Sequence, residues 1–226
     1  MSSTNKFKNG DLARDFEAPD LSGHRFQMSL LNRSGVWISF YRYSSCPICN
    51  NHFDDVISRR AVLAEYGIQF IAVFESHPEN FPPKYINSPF RDIIMVPDIK
   101  GALYDVYGVE KSWLGFVSPQ PFIERAKAGL KGYTEGKIDG RLDRIPAHFL
   151  VLPSGKIFNA YYGRNIADNL KWRDLEPFFE ELKKTNKKKD PPNELPNELS
   201  MPHLPATASA TGLLDDKTIP IIRPKR

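Results

Sequence analysis

The chain contains two cysteines, and their position directly after an apolar segment constrains the fold more than any other feature of the sequence. Cys46 and Cys49 flank Pro47 and Ile48, and they follow the run Val36-Trp37-Ile38-Ser39-Phe40-Tyr41. A buried strand that delivers a Cys-x-x-Cys to the first turn of a helix is how proteins build a redox-active dithiol. With no third cysteine in the chain, the pair can react only with each other, with a substrate or with a metal.

Bulk properties indicate one folded domain and a reducing compartment. A chain of 226 residues is long enough for a single well-packed domain with extensions. Two cysteines are too few for a disulfide-stapled secreted scaffold. Residues 1–10 are polar and unlike a secretory signal, and the sequence has no apolar stretch of about 18 residues, the length needed to cross a bilayer. We therefore expect a cytoplasmic protein whose dithiol cycles between its redox states.

The positive charge lies at the C-terminal end of the sequence. The net charge is +4, and residues 187–226 combine a lysine run with seven of the 19 prolines. Such a segment lacks the apolar surface to offset its ordering entropy. The sequence thus predicts a folded domain over residues 1–186 and a disordered, solvating Pro/Lys-rich tail over 187–226. We expect neither a nucleic-acid nor a membrane partner.

Apolar runs suited to strands alternate with helical patterns along the folded part. This order predicts an α/β domain with a central mixed sheet and helices on both faces. A loop-rich insertion is predicted over about 111–145, with a short helix at 122–127. The predicted strands are 36–41, 68–74, 93–96, 147–152 and 156–161, and the predicted helices are 47–66, 79–88, 101–107 and 167–184.

The two cysteines are expected to play different parts. Cys46 falls in the first turn of a helix, where unpaired N–H groups and the positive end of the helix dipole stabilise a thiolate. Pro47 suits that turn because the N–H it lacks would have no partner there. We predict that Cys46 is the nucleophile with a lowered pKa, that Cys49 is the resolving thiol, and that Arg42 supplies a cation near the thiolate.

Several segments resemble the thioredoxin-fold superfamily, and within it the peroxiredoxin-like AhpC/TSA group that carries a Cys-x-x-Cys. The resemblance covers about residues 10–182. Residues 10–19 with Gly23 are similar to the extended opening of peroxiredoxins, and Phe40-Tyr41 before the cysteine is common in the group. Residues 97–109, with Asp98, Gly101, Tyr104 and Tyr107-Gly108-Val109, look like another family segment. The resemblance implies a thioredoxin-like α/β fold with an N-terminal extension.

Ile145-Pro146-Ala147 before the fourth strand resembles the cis-proline loop of thioredoxins. The resemblance implies that Pro146 is cis and faces Cys46, with the loop backbone pairing to an extended substrate. Because cis X-Pro bonds are only about 5% of such bonds in folded proteins, this expectation comes from the family resemblance alone.

The sequence also departs from both family patterns. Peroxiredoxins have a threonine three residues before the reactive cysteine, and Tyr43 stands there in this chain. Thioredoxins have a buried aspartate six residues before it, and Phe40 stands there. A thioredoxin-type proton shuttle would therefore need another group, and the choice between disulfide and hydroperoxide substrates stays open.

Taken together, the sequence predicts a peroxiredoxin-like thiol oxidoreductase that reduces disulfides or hydroperoxides, with antioxidant or redox-homeostasis roles and no cofactor. Its electron donor is expected to be a thiol of the thioredoxin or glutathione type. The alternative is a non-catalytic redox sensor or partner-binding module. A zinc site on Cys46, Cys49, His52 and His148 is disfavoured, since a helix from Cys46 directs His52 away from it. Donor, oligomeric state, and the roles of the insertion and basic tail are not decided by sequence.

Overall fold

A five-stranded mixed sheet forms the centre of the computed structural model, which describes residues 6–31, 35–86, 93–111, 119–134, 136–187 and 223–224. Its strands are β3 (Gly35–Phe40), β4 (Ile68–Phe74), β5 (Ile93–Pro97), β6 (Ala147–Val151) and β7 (Ile157–Tyr162). The strand order is β5-β4-β3-β6-β7; β3 runs parallel to β4 and β4 to β5, whereas β6 is antiparallel to both β3 and β7. This is the mixed sheet that the sequence predicts.

Alternation along the central strand β3 divides the core into two layers. Successive side chains of a strand point to opposite faces. Trp37 therefore packs into one apolar cluster with helical residues Phe53 and Phe178, while Ile38 and Phe40 pack into a second cluster on the other face. Because both faces are covered, every residue of β3 is buried, which explains its continuous apolar sequence.

Helices flank the sheet on both faces, as predicted. Two short 3₁₀ turns, Pro78–Asn80 and Trp172–Leu175, precede the helices that begin at Pro83 and Glu176. The helices are α1 (Met28–Leu31), α2 (Pro47–Ser58), α3 (Arg60–Glu65), α4 (Pro83–Ile86), α5 (Ala102–Val106), α6 (Pro119–Leu130) and α7 (Glu176–Lys187). Within the described residues, no helix is both long and apolar enough to cross a membrane.

The long helix predicted over 47–66 is in fact two helices that meet at Arg59. The Ser58 hydroxyl donates to the Asp55 carbonyl at 2.7 Å, so it competes for the acceptor that the Arg59 N–H would use in a continuous helix. Arg59 N–H instead bonds to Val56 at 3.0 Å, and the chain turns there. The break leaves α2 as a separate twelve-residue helix that begins at the dithiol.

Other predicted helices also differ. The helix predicted over 79–88 is a 3₁₀ turn at Pro78–Asn80 followed by α4 at Pro83–Ile86, because the prolines disfavour helical backbone at the residues before them, and residues 87–88 lie outside the described residues. The final helix begins at Glu176 rather than near residue 167, because Asn165 and Asp168 accept backbone N–H groups in the preceding turns. The helix of the insertion is longer than predicted and spans Pro119–Leu130, since prolines are tolerated in a first helical turn.

A second, three-stranded sheet was not predicted. Its order is β2-β1-β8, with β1 at Phe16–Pro19, β2 at Arg25–Gln27 and β8 at Arg223–Pro224. The tail thus contributes two residues to this sheet. Residues 188–222 and 225–226 lie outside the described residues, so the predicted disorder of that segment and the boundary of the domain stay predictions.

Candidate active site

The dithiol lies at the junction between β3 and α2. Cys46 is the N-cap of α2, with extended backbone, and Pro47 is the first helical residue. The Cys46 sulfur accepts a hydrogen bond from the backbone N–H of Cys49 at 3.3 Å, so the thiol itself caps the helix. Both cysteines are free thiols, and both are buried. This geometry places the Cys46 sulfur at the positive end of the helix dipole.

Arg42, four residues before the first cysteine, supplies a cation to the same sulfur. Its Nη2 donates to Cys46 Sγ at 2.9 Å, and its Nη1 donates to the carbonyl of Leu142 at 3.1 Å. The guanidinium is almost fully buried. A buried cation is poorly screened by solvent, so its attraction for a thiolate is stronger here than it would be at the surface.

The surroundings shift the pKa values of the two thiols in opposite directions from the ordinary value, down for Cys46 and up for Cys49. Burial raises the pKa of Cys46, but hydrogen bonds from Cys49 and the charge of Arg42 outweigh it and lower this pKa to about 6. The pKa of Cys49 lies well above the ordinary range. Burial raises it most, and the hydrogen bond with Cys46 and the negative charge of Cys46 raise it further. At neutral pH, Cys46 is therefore a thiolate and Cys49 a protonated thiol.

Residues 136–144 of the insertion, here called the strap, lie across the dithiol. The Ser45 hydroxyl donates to the Lys137 carbonyl of the strap at 2.6 Å, and Arg42 bonds to the strap at Leu142. A side chain at Gly136 would lie 2.9 Å from Ser45 Cβ, which shows how closely the strap approaches. In this arrangement Cys46 is fully buried, so a substrate larger than a few atoms needs the strap to move.

The expectation of a cis proline beside the dithiol is wrong. No peptide bond within the described ranges is cis, so Ile145–Pro146 is trans. The backbone on both sides of this bond is held by the fold, since Ile145 N–H donates to Glu110 at 3.2 Å and Gly163 N–H donates to the Pro146 carbonyl at 2.9 Å. These bonds set an extended entry into β6 that the intrinsically preferred trans form satisfies. The Pro146 carbonyl is engaged within the protein rather than presented to a substrate.

A polar cluster lies behind the dithiol, between the sheet and α2. The Tyr41 hydroxyl and His52 Nδ1 are 2.9 Å apart, and His52 Nε2 lies 2.9 Å from the carbonyl of Leu170. Across the paired strands β3 and β6, Ser39 Oγ and His148 Nδ1 are 2.9 Å apart. The two imidazole rings are 5.2 Å apart, so the strand pair and the helix bring both histidines to one place.

A cleft of about 410 Å³ opens beside α2. Ile48, which lies between the two cysteines, and His52 line it from α2, and Leu170 lines it from the loop before α7. Charged side chains of both signs complete its walls: Arg59, Lys131, Lys171, Asp55 and Glu124. The cleft thus reaches both the dithiol helix and the polar cluster from solvent.

The comparisons with known proteins agree with this architecture. Residues 9–159 match the AhpC/TSA family, which is well over half of the chain. The chain belongs to the AhpC/TSA family. It is accordingly a thiol oxidoreductase or peroxidase, and the family implies a thiol reductant and a peroxide or disulfide substrate. No curated protein matches the sequence closely enough to count as a relative.

Several solved structures share the fold at low sequence identity. The peroxidoxin BcpB of Mycobacterium tuberculosis is 18% identical, with a TM-score of 0.50 over 81% of this chain and 99% of the other. A thiol peroxidase of Chromobacterium violaceum is 13% identical, with a TM-score of 0.54 over 78% and 88%. A yeast mitochondrial 1-Cys peroxiredoxin is 11% identical, with a TM-score of 0.57 over 85% and 84%. At these identities the likeness shows the fold alone.

The cysteine spacing at the strand–helix junction predicted the dithiol, and the position of Arg42 after the strand predicted its cation, but neither predicted the strap or the polar cluster. His52 and His148 appeared in the sequence only as candidate zinc ligands. In the part of the chain that the structure describes, no group of three or more His, Cys, Asp or Glu side chains is arranged to hold a metal. The three-residue spacing of Cys49 and His52, which puts both on one side of α2, was the available signal for the cluster.

Replacing Arg42 with methionine tests its influence on the thiolate. The Arg42→Met protein should show a Cys46 pKa that moves from about 6 toward the ordinary thiol value of about 8.5, because an attractive charge and a hydrogen bond are lost. The pKa is read from thiolate absorbance at 240 nm against pH. Arg141→Met, which removes a cation of the strap that bonds to Asp143, is the matched control. A midpoint still near 6 in Arg42→Met would contradict this assignment.

Loosening the strap should expose the nucleophile. Asp139 fixes the strap to the end of β4 through three hydrogen bonds of 2.6–2.8 Å from Ser76, His77 and Asn80. Hydrogen bonds to charged groups contribute about 1.5–3 kcal/mol, so losing even one should raise the open fraction about tenfold. We expect Asp139→Ala to be alkylated at Cys46 about tenfold faster by iodoacetamide. Asp143→Ala should change the alkylation rate little, because Asp143 is paired with Arg141, which also belongs to the strap. Equal rates in the wild type, Asp139→Ala and Asp143→Ala would refute the covering role of the strap.

Proposed function

We propose that this AhpC/TSA-family protein uses Cys46 and Cys49 as a redox dithiol that reduces disulfide substrates by thiol–disulfide exchange. The observation that supports this most directly is the asymmetry of the two thiols. Cys46 Sγ receives hydrogen bonds from Arg42 and from the Cys49 N–H, and Cys49 lies one helical turn away. An attacking thiolate and a protonated partner within reach are what the two successive steps of exchange require.

In the proposed reaction, the Cys46 thiolate attacks one sulfur of the substrate disulfide. A bond forms between Cys46 and that sulfur, and the other substrate sulfur leaves as a thiolate. Cys49 then loses its proton and attacks the Cys46 sulfur, which forms the Cys46–Cys49 disulfide and releases the second substrate thiolate. The substrate gains two electrons, and the dithiol loses two. A thiol donor returns the protein to the dithiol state.

A hydroperoxide is the second candidate substrate, and the enclosure of Cys46 favours it. A small peroxide can reach a thiolate beneath the strap more easily than a polypeptide disulfide can. In that case the Cys46 thiolate attacks one peroxide oxygen, the O–O bond breaks to release water or an alcohol, and Cys46 becomes a sulfenic acid. Cys49 attacks the sulfenic sulfur, and water leaves as the same internal disulfide forms.

The electron donor is proposed to be a thiol of the thioredoxin or glutathione type. The yeast mitochondrial 1-Cys peroxiredoxin is described as resolved via glutathione/thioredoxin systems, and its fold is shared by this chain. The cleft beside Ile48 offers such a donor a route toward the dithiol helix. We also propose a cytoplasmic location, where such donors keep thiols reduced.

Stopped-flow mixing of the reduced protein with hydrogen peroxide and, separately, with a model disulfide tests the proposal. Rapid reaction with the disulfide and a peroxide rate typical of a free thiol would support disulfide exchange. A peroxide rate orders of magnitude above that of a free thiol would assign the second candidate. Slow reaction with both would contradict the proposal and favour a redox sensor or partner-binding module.

A further inference from the structure

Cys49 must give its proton to another group before it can attack the Cys46 sulfur. Its thiol is buried and protonated at neutral pH, yet it must become a thiolate to attack the Cys46 sulfur. Thioredoxins have an aspartate for this at the position that Phe40 takes here, and Phe40 packs in the apolar cluster on the other face of the sheet. A group other than residue 40 must therefore accept the proton of Cys49.

The hydrogen bonds around His52 fix which of its nitrogens can take a proton. A carbonyl oxygen only accepts, so the contact with Leu170 requires Nε2 to carry the hydrogen of the neutral ring. Nδ1 is then the acceptor, and the Tyr41 hydroxyl donates to it. Burial lowers the pKa of His52, so this ring is neutral at pH 7 and its basic nitrogen faces Tyr41.

Tyr41 joins this basic nitrogen to the buried cluster that contains the dithiol. Its ring is fully buried, and it belongs to the same contiguous cluster as Cys46 and Cys49. Burial raises the pKa of Tyr41, and negative charge at Cys49 raises it further. Cys49 and His52 are three residues apart on α2 and so lie on one side of the helix, the side that Tyr41 contacts.

We propose that Tyr41 and His52 conduct the proton of Cys49 away from the dithiol, an inference that rests on the proposed function. As Cys49 approaches the Cys46 sulfur, its S–H proton passes to the Tyr41 oxygen while the Tyr41 O–H proton passes to His52 Nδ1. Cys49 becomes a thiolate, Tyr41 ends as it began, and His52 becomes an imidazolium. His52 lines the cleft, where solvent or the departing substrate thiolate takes the proton.

A proton on His52 disfavours a second proton on the neighbouring His148. His148 is 5.2 Å from His52, and its pKa is lowered by burial and then by the charge of His52. Negative charge at Asp55, on the same helix, raises the pKa of His52 against the effect of burial. Negative charges at Cys49, Asp54 and Asp55 act on Tyr41. The other charged groups that line the cleft with His52 are Arg59, Lys131, Lys171 and Glu124.

The test separates the two thiols by reacting the reduced protein with 5,5′-dithiobis(2-nitrobenzoate). Attack by Cys46 releases the first aryl thiolate, and attack by Cys49 on the resulting mixed disulfide releases the second. General acid–base catalysis contributes about 10²-fold or more, so Tyr41→Phe and His52→Ala should each slow the second phase about 100-fold at pH 7 and leave the first phase unchanged. Tyr107→Phe is the matched control, because this buried hydroxyl donates only to the Arg14 carbonyl on the other face of the sheet.

Two further readouts exclude a merely structural effect. In both variants the second phase should rise about tenfold per pH unit from pH 6 to 8, because Cys49 then depends on solvent to lose its proton, whereas the wild-type rate should change little. Added imidazole should restore the second phase of His52→Ala through the cleft and should not change Tyr107→Phe. A second phase unchanged in Tyr41→Phe and His52→Ala, beside a fast first phase, would overturn the inference and leave the proposed function standing. A wild-type protein without a fast first phase would overturn both.

Discussion

Cys46→Ser should lower the rate of reaction with a disulfide or a hydroperoxide by on the order of a thousandfold or more. A serine hydroxyl is a far weaker nucleophile than a thiolate, and neither Arg42 nor the helix N-terminus can ionise it at neutral pH. The thiolate character that these groups give Cys46, with a pKa of about 6, is lost completely. Stopped-flow rates of the reduced proteins measure the change.

Cys49→Ser should behave differently, and this contrast is the control. The Cys46 thiolate keeps its cation, so the first step should remain within a few-fold of the wild-type rate. The reaction should then stop at a mixed disulfide on Cys46, visible as an added mass. The contact with Arg42 and the Cys49 backbone N–H both survive the substitution. If Cys46→Ser retained wild-type rates, or if Cys49→Ser lost the first step, the assignment of attacking and resolving thiols would be wrong.

Glu75→Ala should destabilise the fold by about 3–5 kcal/mol. Arg144 donates to both carboxylate oxygens of Glu75, at 2.9 and 3.1 Å, and to the Val109 carbonyl at 3.0 Å. Both side chains are almost completely buried, with 2% and 6% exposed. Removing the carboxylate leaves a buried guanidinium without its counter-charge, which costs more than the pair contributes. For a chain of this size the midpoint of thermal unfolding should fall by roughly 6–20 °C.

A matched pair at the surface provides the comparison. Arg25 donates to Glu17 at 2.8 Å, and both side chains are more than a third exposed. Glu17→Ala should therefore change stability by about 1 kcal/mol or less. The double variant Glu75→Met/Arg144→Met should recover much of what Glu75→Ala loses, because no unpaired charge stays buried. Equal unfolding midpoints for Glu75→Ala and Glu17→Ala would contradict the account.

The fold and the dithiol could be predicted because their signals are local. The run that becomes β3 is apolar at nearly every position because both faces of the strand are covered, and Pro47 marks the helix start beside Cys46. Residues 97–109 resembled the family motif, and the family match includes them. By contrast, the small sheet formed by β1, β2 and β8 pairs segments some 200 residues apart, and its strands are too short to show a periodic pattern.

The environment of the site could not be predicted, since it depends on contacts between distant residues. Asp139 meets its partners about 60 positions away, and Arg144 meets Glu75 across 69 positions. The Ile145–Pro146 bond is trans, and the backbone on both sides of it bonds to Glu110 and Gly163, neither of which its local sequence reveals. The sequence presents His52 only as a candidate zinc ligand, because its contact with Tyr41 depends on the packing of α2 on the sheet.

The central claim is that the protein cycles between a dithiol and a disulfide joining Cys46 to Cys49. The most direct test is to oxidise the reduced protein with one equivalent of substrate, alkylate what remains, and measure the intact mass and the peptide map. We predict a loss of two hydrogens, no alkylation, and a single peptide pair joined through Cys46 and Cys49. A product in which Cys46 carries the substrate or extra oxygen while Cys49 is freely alkylated would contradict the account.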